Sequence, residues 1–392
     1  MSTHSPFSGL QAELDQREAA SLLRQRRLID GRQQPRLQVD GVEMLSFCSN
    51  DYLGLASHPA LIAALQHAAS EAGVGSGASH FITGHHCLHH QLEVMLATFL
   101  DLPRALLFST GYMANLGIVT ALVGRHDAVF ADRLNHASLN DAVVLSRADF
   151  HRYAHNDMAA LEQLLSSSDA RRKLVVADAV FSMDGDMAPV PELLRICERY
   201  DAWLLLDDAH GFGVLGERGR GVLEHFDVSS PRIIYMATLG KAAGVFGAFV
   251  AGDPILVEYL LQHARTGIYT TAMPPALAGA MQAALTLMDT EGWRRAHLRE
   301  LIATLRGQLR LQKWRLDPSE TPIQPVIVGS NEEVLRASEA LRSKGILVPA
   351  IRPPTVPQGT ARLRISLSAA HGIADVEQLV EALHAAERES GA

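Results

Sequence analysis

Between residues 104 and 252, seven short apolar runs alternate with stretches of helical periodicity. No other feature narrows the possible folds as much. The runs are "RALLFS", "DAVFAD", "DFHRYA", "KLVVADAVF", "AWLLLDD", "RIIYMAT" and "GAFVAG". Helical segments separate most of them, among them 112–123, 157–166 and 191–200. A strand buried on both faces reads as a continuous apolar run, and parallel neighbours need a crossover that is usually a helix. The chain is therefore expected to form an α/β fold whose mostly parallel central sheet carries helices on both faces. The last run follows its predecessor closely and is expected to pair antiparallel.

Around this block the sequence divides into three parts. Residues 1–50 read as an N-terminal helix and strand segment. An amphipathic helix is expected over 10–29, with Leu14, Leu22, Leu23 and Leu28 on its apolar side, followed by a hairpin turning at Asp40-Gly41. Residues 51–290 read as the large domain. Residues 291–392 read as a smaller C-terminal α+β domain, with strands in "TPIQPVIVG", "ILVPAI" and "ARLRISLS" and helices over 331–344 and 374–388. One long helical region is expected from about 275 to 312.

Composition removes several function classes. Acidic residues outnumber basic ones, 43 to 35, giving a net charge of −8, and there is no basic block. A nucleic-acid partner is not expected. The three cysteines, Cys48, Cys87 and Cys197, are too few for a disulfide framework and fit a reducing compartment. The N-terminal stretch is polar and no apolar run reaches membrane-spanning length, so a cytoplasmic location with no membrane partner is expected.

In an open α/β sheet, ligands bind beyond the carboxyl ends of the strands. Five predicted strands deliver polar groups there. Thr110, Gly111 and Tyr112 follow the first, Asn135 and His136 the second, and Ser182 the fourth. Asp207, Asp208 and His210 follow the fifth, and Thr238 and Lys241 the sixth. Taken singly, each has an ordinary explanation: a solvated lysine, a helix-capping Asp, turn chemistry for Ser and Thr. Taken as an ordered set, they suit pyridoxal 5'-phosphate. Lys241 offers an amine for covalent attachment, in an apolar context ("ATLGKAAGVFGAFV") where an idle lysine would be costly. Asp207 offers a carboxylate to keep the ring nitrogen protonated, and His136 a flat side chain to cover the ring. The helix start at Gly111-Tyr112 offers backbone N–H groups to the phosphate, with Thr238 beside it. Ser182 and His210 can reach the phenolic oxygen.

Two signals compete. "GFGVLG", Gly211 to Gly216, matches a dinucleotide-binding pattern, but Asp-Asp-Ala-His separates it from the strand and "ERGRG" follows where a helix is required. It is read as a tight loop. "GHHCLHH", residues 84–90, pairs His85 with His89 and His86 with His90 at helical spacing. It lacks the Glu of H-E-x-x-H and a second ligand cluster, so no functional metal site is expected there, and a metal-binding protein using the His85–His90 cluster is the alternative from a different class.

"DDAHGFGVLGERGRG" followed by "TLGKAAG" resembles the α-oxoamine synthases, pyridoxal-phosphate enzymes of the fold type I, aspartate-aminotransferase-like class. So do "SNDYLGLASHP", "LNHASLNDA", "FSMDGDMAPV", "IYTTAMPPA" and "IRPPTVPQGTARLRISLSAAH", in order, from about residue 10 to the end. The resemblance implies a homodimer with shared active sites. "IRPPTVPQGTARLR" is most similar to members that condense L-alanine with pimeloyl-CoA, or a pimeloyl-carrier protein, in biotin biosynthesis. Members acting on glycine and acetyl-CoA are the alternative within the family. By the resemblance, Lys241 moves the alanine Cα proton and His136 donates to the carboxylate or the developing oxyanion. Asn50 and Arg364 hold the amino-acid carboxylate, and Arg24 and Thr355 contact the acyl-CoA. Thr270 and Thr271 reach the partner subunit's phosphate. Ser79, His80 and Phe81 are expected as walls of the acyl pocket. Asp178 stands where the resemblance leads one to expect Glu.

Overall fold

The computed structural model describes residues 6–390. They form two compact units. One holds residues 50–299 with 368–370. The other holds the residues up to Ser49 together with 300–367 and those from His371 onward.

The larger unit is built on a seven-stranded sheet. Its spatial order is Arg104–Phe108, Ala248–Gly252, Ile233–Thr238, Trp203–Asp207, Lys173–Asp178, Ala128–Asp132, Asp149–Tyr153. The last five strands of that order run parallel, and Ala248–Gly252 lies antiparallel to both of its neighbours. The apolar runs explain the layering. Leu204, Leu205 and Leu206 are fully buried, as are Leu174, Val175 and Val176 beside them. Each buried aliphatic side chain contributes about 1.5–3 kcal/mol. Helices Gly111–Leu122 and Ala137–Ser146 pack against the sheet through Ile118, Val119, Leu139 and Val143.

Strand ends lead into helix starts, and the caps are local. The Thr110 side chain accepts from Met113 N–H, and His136 Nδ1 accepts from Ser138 N–H. Such caps satisfy N–H groups that the helix leaves unpaired.

The smaller unit combines both ends of the chain. Arg36–Val39 and Val42–Ser46 form the expected hairpin. Asp40 (φ 51°) and Gly41 (φ 80°) both take the left-handed conformation that a two-residue hairpin turn requires. The second strand pairs in parallel with Ile346–Leu347, which groups the N-terminal segment with C-terminal residues. A separate antiparallel sheet runs in the order Arg315–Leu316, Ile323–Gly329, Ala361–Ser366, Ala350–Ile351.

The N-terminal helix differs from the expectation. It covers Ser8–Ala19, not 10–29, and the chain turns at Ser21 (φ 56°). None of its residues is buried, so no packed face extends it towards residue 29. The long helical region is two helices, Pro275–Thr290 and Trp293–Gln308. Among the described residues, no helix is long and apolar enough to cross a membrane.

The histidine stretch also differs. The helix starts at Cys87 and runs to Leu100, so His85 and His86 precede it. His86 is its N-cap, its Nδ1 accepting from Leu88 N–H, while His89 Nδ1 accepts from His86 N–H. His89 Nε2 donates to the carbonyl of Met273. His89 is fully buried. Burial holds its pKa down to about 4, so it is neutral at physiological pH.

Candidate active site

A cavity of about 200 Å³ opens at the carboxyl ends of the parallel strands. Eight sequence-predicted residues line it. Gly111 and Tyr112 come from the first helix start, His136 and Ser182 from the loops after their strands. Asp207 ends the strand Trp203–Asp207 and His210 follows it, and Thr238 ends the strand Ile233–Thr238 with Lys241 just beyond.

Lys241 Nζ lies 2.9 Å from His210 Nε2. His210 Nδ1 lies 2.7 Å from the Tyr52 hydroxyl, which donates to Asn50 Oδ1 at 3.1 Å. With the Tyr52 proton committed to Asn50, His210 Nδ1–H is the donor to Tyr52. His210 Nε2 then presents its lone pair to Lys241. A second chain starts at Asp207. Its Oδ1 accepts from Ala209 N–H at 3.0 Å and its Oδ2 from Asn115 Nδ2 at 2.8 Å. Asn115 Nδ2 also donates to Ser138 Oγ at 2.9 Å, and Ser138 Oγ lies 2.7 Å from His136 Nδ1. Because Ser138 N–H already donates to Nδ1, that nitrogen is an acceptor. The Ser138 hydroxyl therefore donates to it as well, and the neutral ring carries its proton on Nε2. Burial lowers the His136 pKa; Asp207 opposes this and Lys241 adds to it.

Asp178 and Asp207 end adjacent strands in direct register. Asp178 Oδ2 accepts from His136 N–H at 3.0 Å, and its Oδ1 is buried without a hydrogen-bond partner. Burial, reinforced by the charge of Asp207, raises the Asp178 carboxyl well above the usual range. Asp208 is fully buried and anchors the glycine-rich loop. Its Oδ2 accepts from Val222 N–H and from the Tyr235 hydroxyl. A Cβ on Gly221 would meet that oxygen at 2.0 Å, at a backbone φ of +86°. The loop 211–221 is a turn wrapped on Asp208, with no helix opening it as dinucleotide binding requires.

The Aminotransferase class I and II model matches residues 42–383. The chain belongs to this family. It is 65% identical over 378 residues to the 8-amino-7-oxononanoate synthase of Methylobacillus flagellatus, covering 96% of both chains. Among solved structures, the serine palmitoyltransferase of S. paucimobilis with bound PLP is 29% identical with a TM-score of 0.92 over both whole chains. An 8-amino-7-oxononanoate synthase from Francisella tularensis is 31% identical, with a TM-score of 0.76 over 89% of this chain and 99% of that one.

The cavity's donor set fits pyridoxal phosphate. It presents an amine, a carboxylate held by two hydrogen bonds, an imidazole of fixed tautomer and a helix start. Tyr52, Asn115 and Ser138 were not anticipated from the sequence: the first two act through bonds to residues remote in the chain, and Ser138, two residues from His136, reads as ordinary helix-start chemistry.

The other predicted residues fall elsewhere. Asn50 joins the Tyr52–His210 chain. Thr270 and Thr271 follow the short helix Arg265–Ile268 and do not line the cavity. Arg24, Thr355 and Arg364 belong to the smaller unit. Arg364 is buried on the strand Ala361–Ser366 and donates to Ser366 Oγ at 2.6 Å, whereas Arg24 and Thr355 are exposed. His80 and Phe81 line a second cavity that shares no wall residue with the first.

Proposed function

We infer that this chain catalyses the pyridoxal-phosphate-dependent, decarboxylating condensation of L-alanine with pimeloyl-CoA. The products are 8-amino-7-oxononanoate, coenzyme A and carbon dioxide, and the step belongs to biotin biosynthesis. The observation that carries this reading is the single cavity holding Lys241, Asp207 and His136 in a chain 65% identical to a named synthase. When bound, pyridoxal phosphate supplies an aldehyde for an amine and a protonated ring that draws electrons from the amino-acid Cα.

The chain's own residues supply the rest. Asp207, its carboxylate held by Asn115 Nδ2 and Ala209 N–H, would keep the ring nitrogen protonated. Lys241 would anchor the cofactor through Nζ, and as a free amine the same atom would take the amino-acid Cα proton. His210 accepts from that nitrogen and holds it in place. His136 presents Nε2–H to the substrate carboxylate or to the oxygen that gains charge as the acyl carbon is attacked. Asn50 and Arg364 hold the amino-acid carboxylate, Arg364 as a guanidinium able to grip it at two points. Arg24 and Thr355 meet the acyl-CoA. The enzyme is proposed to be a cytoplasmic homodimer in which Thr270 and Thr271 reach the partner's cofactor phosphate. Exposed Tyr112 on the cavity wall and exposed Phe246, shortly after Lys241, support a covered rim. Sedimentation at equilibrium tests this: a monomer at micromolar concentration overturns it.

The reaction is tested by a matrix of amino acids against acyl-CoAs, read by thiol release. Alanine with pimeloyl-CoA is expected to give the highest kcat/KM. A higher value for glycine with acetyl-CoA sinks the assignment. Ser138→Ala tests the tautomer chain. Backbone N–H of Ser138 still holds His136 Nδ1, so kcat per bound cofactor is expected to fall only about tenfold, with cofactor content unchanged.

A further inference from the structure

We propose that His85, His90 and Glu93 form a site for one divalent transition-metal ion of the zinc type, separate from the pyridoxal-phosphate cavity. His90 and Glu93 lie three residues apart on the helix Cys87–Leu100, a spacing that makes their side chains neighbours on one face. His85 approaches from the residue before the N-cap. One ligand atom from each lies within 4.8 Å of the other two. Donors on a tetrahedral zinc sit roughly 3.3 Å apart, so these side chains need to draw in by about an ångström or so. Two imidazoles and one carboxylate make up the donor set of a zinc site that keeps a position open.

Three further observations shape the site. Glu93 Oε1 accepts from Leu107 N–H at 3.0 Å, which orients the carboxylate and leaves Oε2 for the ion. His85 Nδ1 lies 2.9 Å from His80 Nδ1, which leaves His85 Nε2 for the ion. All three ligands line a cavity of about 250 Å³, giving room for water or a small anion at the open position. A second grouping, His80 with His85 and His89, has a similar spread. It is excluded because both His89 nitrogens are committed, Nδ1 to the helix cap and Nε2 to Met273. The absence of a carboxylate in H-E-x-x-H spacing argued against a metal from sequence. Glu93 supplies one at H-x-x-E spacing.

The test uses the cofactor-loaded, chelator-dialysed enzyme titrated with zinc chloride in a calorimeter, with cobalt(II) as an absorbing substitute. One ion per chain is expected, with a visible cobalt band that zinc displaces. His90→Ala and Glu93→Gln are each expected to weaken zinc binding by at least roughly tenfold, the loss that even an outer partner of a metal site carries. His67→Ala removes an exposed histidine elsewhere and is expected to bind as the parent does. Unchanged cofactor absorbance shows that each variant is folded. The proposal is overturned if the parent takes up no zinc at 100 micromolar (about the weakest binding that would count), or if both ligand variants bind as it does.

Discussion

Lys241→Ala will lower turnover of alanine and pimeloyl-CoA by about 10³–10⁴-fold, at the upper end of what one proton-transfer group contributes. The proposed mechanism gives the residue two tasks at one atom. Nζ would anchor the cofactor and, once free of it, move the Cα proton. The expected signature separates these tasks. Borohydride treatment of the parent should fix the cofactor to the peptide that contains Lys241, whereas the alanine variant should yield no labelled peptide. Pyridoxal phosphate should still bind the variant reversibly, because Asp207, His136 and the Gly111 helix start remain. Single-turnover thiol release from a variant pre-loaded with cofactor and alanine then reports proton transfer and acyl attack without the anchoring step. A Lys241→Ala variant that retained more than about a tenth of parental turnover would remove Lys241 as the base, since removing such a group costs at least about 10²-fold. His210→Ala gives the internal comparison. It leaves Nζ in place but removes its 2.9 Å partner, so labelling should persist while turnover falls.

Much of the larger unit was legible because its signals are local. A run such as "WLLLD" is apolar at every position up to its final carboxylate, and a strand buried on both faces has no other way to look. The residues just beyond such runs must then stand on one rim, which is why Lys241, Asp207, His136 and Ser182 could be grouped before any geometry was known. Asn115 was not legible. It sits in a helix facing the sheet and gains meaning only through bonds to Ser138 and to Asp207, the latter 92 residues away. Tyr52 reads as one more aromatic residue until its hydroxyl meets His210, 158 residues on. The N-terminal helix was overextended because leucine spacing says nothing about whether a partner surface exists. His86 and His89 looked like ligands because a cap and a ligand use the same nitrogen atoms, and only the helix start at Cys87 tells them apart. The pairing of Val42–Ser46 with Ile346–Leu347 joins segments some 300 residues apart, and neither carries a mark of the other.

The two neighbouring carboxylates should respond unequally to the same substitution. Asp207→Asn is expected to lower kcat by about 10²–10³-fold, the usual cost of removing one oriented electrostatic group from a site. The loss should be chemical and not structural. Asn115 Oδ1 is buried and unpaired, so its amide can turn over and accept from the new amide at 207. Cofactor content should therefore hold while the ring loses the anion that keeps its nitrogen protonated. Asp178→Asn should leave kcat within about threefold. Two carboxylates side by side cannot both ionise at low cost, and Asp178 is the one that burial and Asp207 push towards the neutral form. An amide matches a neutral carboxyl in shape, can still accept from His136 N–H through Oδ1, and places its NH₂ where Asp178 Oδ1 has no partner. The pH profile makes the distinction sharper. A folded-state carboxyl raised above its unfolded value favours the native state least at high pH, so stability linked to Asp178 is present at low pH and declines as pH rises from the ordinary carboxylate range to the raised native value. Asp178→Asn should remove that decline, which thermal unfolding between pH 5 and pH 9 will show. Equal losses of kcat in both variants would mean that the pair shares one charge across both positions, and the assignment of the anion to Asp207 alone would fail.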